Sequence, residues 1–168
     1  MVLLLVAALA SAAASAAETR EFRDWALRCG EQTGCYLEQR VYVEGAGDAP
    51  LVHVLIQSEG RGGDPMLVLR VPLGILLPPG VRLQIDSGAP ADYPLHHCRA
   101  EGCIALVRLD DTLRASLEKG HEGRLTFYTV DGRSIGVPVS LLGITAGLSA
   151  LSALSDQPAR SRTPETAK

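Results

Sequence analysis

Turn signals recur so closely along this chain that no long helix has room to form between them. Gly- and Pro-containing stretches at 30–34, 45–50, 60–65, 72–80, 87–94, 99–102 and 131–132 interrupt runs of strand length rich in Val, Leu and Ile. Gly supplies turn conformations, and Pro removes the backbone donor that a continuing helix or central strand needs. Residues 25–29 and 35–43 read as one hairpin, and 51–57 and 66–71 as two further strands. Residues 81–86 alternate strictly between apolar and polar, the pattern of a strand with one face in a core. Segments 95–98 and 103–109 flank a short Gly-containing connection, which suits a second hairpin. Segments 125–130 and 134–141 pair across Asp131-Gly132, a two-residue hairpin signal, and Pro138 confines the latter strand to an edge or a bulge.

Helix signals are few. Asp110 or Asp111 is placed to cap a helix running to Lys119, with Leu113 and Leu117 on one face and Gly120 at the stop. Leu148, Leu151 and Leu154 suggest a terminal helical turn, weakened by Gly147 and several serines. The expected fold is therefore all-β (mainly β), an antiparallel β-sandwich with one short helix and a C-terminal helical turn. Aromatic residues make up only 4% of the chain against 46% hydrophobic overall, so Val, Leu and Ile must supply the core.

The apolar run 2–10 and the small residues at 14–17 have the form of a secretory leader with its cleavage site. The run is too short to span a bilayer, which needs roughly 20 apolar residues. The expected organisation is a signal peptide at 1–17, one domain at 18–154 and a disordered tail at 155–168, with no transmembrane helix in the mature chain. In an exported protein the four cysteines, Cys29, Cys35, Cys98 and Cys103, read as disulfide-bonded. Pairing of sequence neighbours is the simplest connectivity, and cross-pairing stays open.

A net charge of -3 with interspersed signs lacks the basic stripe of a nucleic-acid binder. His96 and His97 beside Cys98 and Cys103 resemble a metal constellation, but adjacent strand residues point to opposite faces and oxidation removes the thiolates. His53, Asp110, Asp111 and His121 are the other candidate acid and base groups, and the two aspartates are better explained as a helix start. No nucleophile elbow, zinc-protease motif or phosphate loop occurs, so no catalytic residue, metal or cofactor is assigned. The segment 72–80 offers Ile75, Leu76 and Leu77 either as a contact loop or, on the reading favoured here, as a plug for one end of the sandwich.

Five segments then carry a resemblance: WALRC at 25–29, CYLEQ at 35–39, PLGILLPPGVRLQID at 72–86, CRAEGC at 98–103 leading into LDDTLRASLEKG, and GVPVSLLGITAGLSAL at 136–151. In this order they resemble the invasion-associated locus B family of bacterial envelope proteins. Ile144 departs from the Phe that commonly follows the family's SLxG motif. The resemblance implies an exported, mainly β protein of a Gram-negative bacterium and no known catalytic reaction; with the leader and the disulfides it makes a non-enzymatic protein, periplasmic or at the cell surface, the expected reading. Such a protein would serve host-cell invasion or envelope integrity through a protein partner in the envelope or on a host cell. The alternative is a periplasmic hydrolase or metal-binding protein using His96 and His97.

Overall fold

Alternation over β-prone runs produces two antiparallel sheets. The computed structural model describes residues 18–30, 33–44, 47–58 and 65–155; the expected leader and the tail beyond Ser155 lie outside the described residues. In chain order the elements are β1 (Thr19–Phe22), β2 (Trp25–Gly30), β3 (Gly34–Val41), β4 (Val52–Gln57), β5 (Met66–Val71), β6 (Val81–Ile85), β7 (Ala91–Tyr93), β8 (Leu95–Arg99), β9 (Gly102–Arg108), α1 (Asp111–Lys119), β10 (Glu122–Tyr128), β11 (Ser134–Ser140) and α2 (Ile144–Ser155). The larger sheet has the order β1-β2-β3-β4-β5-β9-β8 and the smaller β11-β10-β6-β7. Neither helix is long and apolar enough to cross a membrane.

The period of two sets the core. Val52, Val54 and Ile56 of β4, Leu67, Leu69 and Val71 of β5, and Ala105 and Val107 of β9 are buried. From the smaller sheet Leu83, Leu125, Phe127, Val137 and Val139 are buried as well. Leu83, Leu125 and Val139 meet Trp25, Val54 and Leu67 around a void of only about 10 Å³ lined by apolar residues, which offers a water no polar side chain. Pro138 sits exposed on β11, the edge where a missing donor costs no ladder bond.

One corner ties the sheets with hydrogen bonds. The Trp25 indole Nε1 donates to the Ser140 carbonyl at 2.9 Å. The buried Gln39 amide donates to that same carbonyl and to the carbonyl of Asp24, both at 3.0 Å. Apolar burial and polar satisfaction thus meet at one point between β2, β3 and β11.

Both cysteine pairs are local. Cys29 bonds Cys35 across β2 and β3, and Cys98 bonds Cys103 across β8 and β9, each with its directly opposed neighbour. Such short loops remove little chain entropy, so each bridge is worth roughly 2 kcal/mol. Replacing one pair, for example Cys29→Ala with Cys35→Ala, is expected to lower the unfolding free energy by that amount, a fall of about 1 M in the urea midpoint, while leaving the domain folded. Complete loss of the cooperative transition would show that the bridge holds more than its own hairpin.

The helices are set by different causes. For α1 the cap is local: the Asp110 carboxylate accepts the Leu113 backbone N–H at 2.8 Å, and Arg114 pairs with Glu118 one turn on at 2.9 Å. At the C-terminus a full helix replaces the expected single turn, because tertiary contact overrides weak propensity. Ile144, Leu148 and Leu151 are buried, and Gly147 lets the backbone press on Leu37, where a Cβ would lie 2.6 Å from Cδ1. Gly143 leads into α2 at φ 96°, and a Cβ there would fall 1.9 Å from the Phe22 carbonyl oxygen. Only glycine suits that position.

Three further departures have physical reasons. Strand β1 is polar and exposed, and exists because it pairs with β2 at the sheet edge. Strand β7 lies inside the expected 87–94 turn. The β10–β11 loop spans three residues, not two: Thr129 N–H bonds the Arg133 carbonyl at 2.9 Å, and Gly132 takes φ 82°.

Candidate functional site

Glu38 stands on the sheet face opposite the core, since its neighbours Leu37 and Gln39 both turn inward, yet it is only 2% exposed. Long side chains from adjacent strands close over it. Arg28 of β2 donates to its Oε1. Arg40 reaches Oε2 through Nε at 3.2 Å and Nη2 at 3.1 Å, and His53 of β4 meets Oε2 at 2.7 Å. Arg70 of β5 is directly opposite His53 in register, and Arg40 is opposite His53 on the other side. The row Arg40, His53, Arg70 therefore runs straight across three strands.

Electrostatics fix the protonation states. Burial pushes the Glu38 carboxyl up, but hydrogen bonds from Arg28 and His53, with the charge of Arg40, more than offset this and hold it below the usual glutamate value. Burial pushes His53 down, and Arg40 and Arg70 push it further, so its value falls below the ordinary one despite the pull of Glu38. A carboxylate can only accept, so a neutral His53 carries its proton on Nε2 and leaves Nδ1 as an acceptor. The result is an imidazole oriented by a carboxylate, flanked by guanidiniums.

A cavity of about 370 Å³ opens beside this row, walled by Pro50, Leu51, Val71 and Pro72 with Glu101 at its margin. A larger open cleft of about 610 Å³ runs between α1 and the β6–β7 edge. Its carboxylates are already committed: Asp110 caps α1, and Asp86 accepts the backbone N–H groups of His121 and Glu122 at 3.0 to 3.2 Å. Those backbone bonds hold Asp86 below the usual aspartate value. The smaller cavity has the richer chemistry.

The residues singled out from sequence fall in separate places. Ile75 is buried and bridges to Thr129, Leu76 is half-buried, and Leu77 is 52% exposed beside the 53% exposed Leu73. The loop is thus part plug and part surface. His53, Asp110 and His121 do not converge; His53 is partnered by Glu38 instead. His96 and His97 do come together, against the expectation of opposite faces. A bulge in β8 between Leu95 and His97 breaks the alternation and brings their Nδ1 atoms to 2.8 Å. Cys98 and Cys103 are locked in their disulfide, and no group of three metal-ligating side chains occurs among the described residues. The Glu38 cluster escaped sequence reading, although Glu38 and Arg40, two apart on a strand, share one face and were its available trace.

Residues 25–152 match the family described as Invasion associated locus B (IalB) protein. An Invasion protein B homolog of Brucella abortus (strain 2308) is 28% identical over 153 residues, covering 89% of this chain and 86% of its own length. The homolog of Brucella abortus biovar 1 (strain 9-941) gives the same figures. The crystal structure of invasion associated protein b from Bartonella henselae aligns with a TM-score of 0.75 at 26% identity, over 83% of this chain and 99% of that one.

Proposed function

This chain belongs to the invasion associated locus B family, and from that premise we propose that it is an exported envelope protein acting by protein or surface contact in host-cell invasion or envelope integrity. The observation that carries the reading is the match over nearly the whole β-sandwich to proteins named for invasion. Support for export comes from the leader-like sequence at 1–17 and from two disulfides, which persist in oxidising compartments. Its home is the periplasm or the cell surface of a Gram-negative bacterium. Contact rather than turnover is favoured because the carboxylates at the larger cleft, Asp86 and Asp110, are spent on backbone N–H groups.

Within the 72–80 loop the contact is made by Leu73 and Leu77, the exposed pair, while the buried Ile75 holds the loop in shape. Two exposed leucines on one loop are the support for a docking surface there. Substituting Leu73→Ser with Leu77→Ser is expected to leave stability within about 0.5 kcal/mol, as for ordinary surface changes, while reducing adhesion of purified protein to host cells or envelope fractions. Unchanged adhesion with unchanged stability would remove this loop from the role. Protease shaving of intact against permeabilised cells assigns the side of the outer membrane: cleavage in intact cells supports direct contact, and protection supports an envelope role.

A metal-dependent or hydrolytic alternative rests on His96 and His97, now side by side on the β8 bulge. Two imidazoles fall short of the ligand set that a zinc site uses. Zinc titration followed by calorimetry checks it, and saturable binding abolished by His97→Ala would favour that alternative.

A further inference from the structure

We propose that the cavity beside Arg40, His53 and Arg70 binds a small acidic sugar, its carboxylate or phosphate held by the guanidiniums and its hydroxyl groups turned toward Glu101. This site goes beyond the contact role above and does not depend on it.

The charge on this face is not balanced from within. Glu38 is the acceptor of the cluster, and both its oxygens are taken, one by Arg28 and the other by Arg40 and His53. Arg70 is left over. Its Nε is closed to solvent and has no hydrogen-bond partner among the described residues, so the guanidinium lines the cavity with a donor that the protein leaves unsatisfied, and an acceptor from outside meets its other N–H groups. A guanidinium presents parallel donors that match carboxylate or phosphate oxygens, which makes an oxyanion the fitting acceptor. Arg40, opposite His53 on the other side, supplies a second positive charge one strand pair away.

The rest of the lining says what the anion is attached to. Pro50, Leu51 and Pro72 give an apolar wall for the carbon face of a ring. Glu101 would repel a bare anion but accepts hydrogen bonds from hydroxyls. It stands in the turn between β8 and β9, which the Cys98–Cys103 bridge holds in place. His53, neutral with its proton committed to Glu38, offers a further acceptor at Nδ1. One anion-binding side, one apolar wall and two acceptors describe a hydroxylated acid. The volume of about 370 Å³ lies in the range of small-molecule sites and suits a compact ligand.

The test is titration of the full mature chain, by NMR or calorimetry, with glucuronate, glucose 6-phosphate, glucose and inorganic phosphate. Glucuronate or glucose 6-phosphate is expected to bind, whichever is tighter distinguishing a carboxylate from a phosphate ligand, and glucose is expected not to. Arg70→Gln should weaken the bound probe by about tenfold or more, as for loss of a charged hydrogen bond. Arg70→Lys, which keeps the charge without the fork, should fall between. Glu101→Gln should weaken the sugar probes without weakening inorganic phosphate. The distant, exposed Arg82→Gln serves as control, and an unchanged melting curve certifies each variant's fold. Absence of binding by both acidic sugars, binding of inorganic phosphate as tightly as either, or wild-type affinity in Arg70→Gln would overturn the assignment.

Discussion

Trp25→Ala is expected to lower the unfolding free energy by about 4 kcal/mol, the range for truncating a large buried aromatic. The side chain is 1% exposed. It borders the interior void with side chains from both sheets, so its loss opens a cavity that neighbouring strands cannot collapse to fill. The same substitution removes the indole donor to the Ser140 carbonyl, though Gln39 continues to satisfy that oxygen. Most of the cost is therefore packing. Trp25→Phe, which restores volume without the donor, should recover more than half of it. Urea unfolding followed by far-UV circular dichroism measures both, and a loss below about 1.5 kcal/mol for Trp25→Ala would mean that the two sheets are not closely packed at this corner.

The second large effect is expected at Glu38, where replacement by alanine removes the one carboxylate shared by Arg28, Arg40 and His53. Breaking a buried charge network by deleting one partner costs about 3 kcal/mol. Arg28 and Arg40 are partly exposed and can turn to water, so the loss should sit toward the low end of what deeper networks show. Acid dependence gives an independent reading. Both Glu38 and His53 have folded values below their ordinary ones. Between the folded and unfolded values the unfolded chain holds the extra proton, so stability falls as pH falls. For His53 the decline begins below about pH 6.5 and for Glu38 below about pH 4.3. His53→Gln should flatten the first stage, measured as urea midpoints across pH. An unaltered slope between pH 6.5 and 5 would show that His53 is protonated freely in the folded state.

Much of the architecture could be read from the chain because its determinants are local. The Asp110 cap and the alternation from Val81 to Ile85 each act within a few residues, and each produced the element expected. Strand β1 could not be read that way, since its exposed polar residues become a strand only when β2 offers an edge. Helix α2 depends on Leu37, more than a hundred residues earlier in the chain, which no local propensity reports. Sites suffered most. His96 and His97 were assigned to opposite faces by a rule that one bulge cancels. The Glu38 cluster draws on four strands whose order in the sheet is a tertiary property, so only Glu38 and Arg40 were adjacent enough to hint at it. Ile144 is 1% exposed, so any change there is a matter of core volume at the start of α2.

The meeting of Gly143 with Phe22, and of Ser140 with Trp25, has a consequence for how the chain becomes a domain. These contacts join the first described strands to the last described elements, across separations of 115 positions or more. Closing so long a loop must precede any reward from the contact, which slows folding and postpones it until the last segment is present. A polypeptide emerging N-terminus first would hold its opening strands without their covering helix until α2 arrives. The first three strands therefore gain their full packing only after α2 has formed against them.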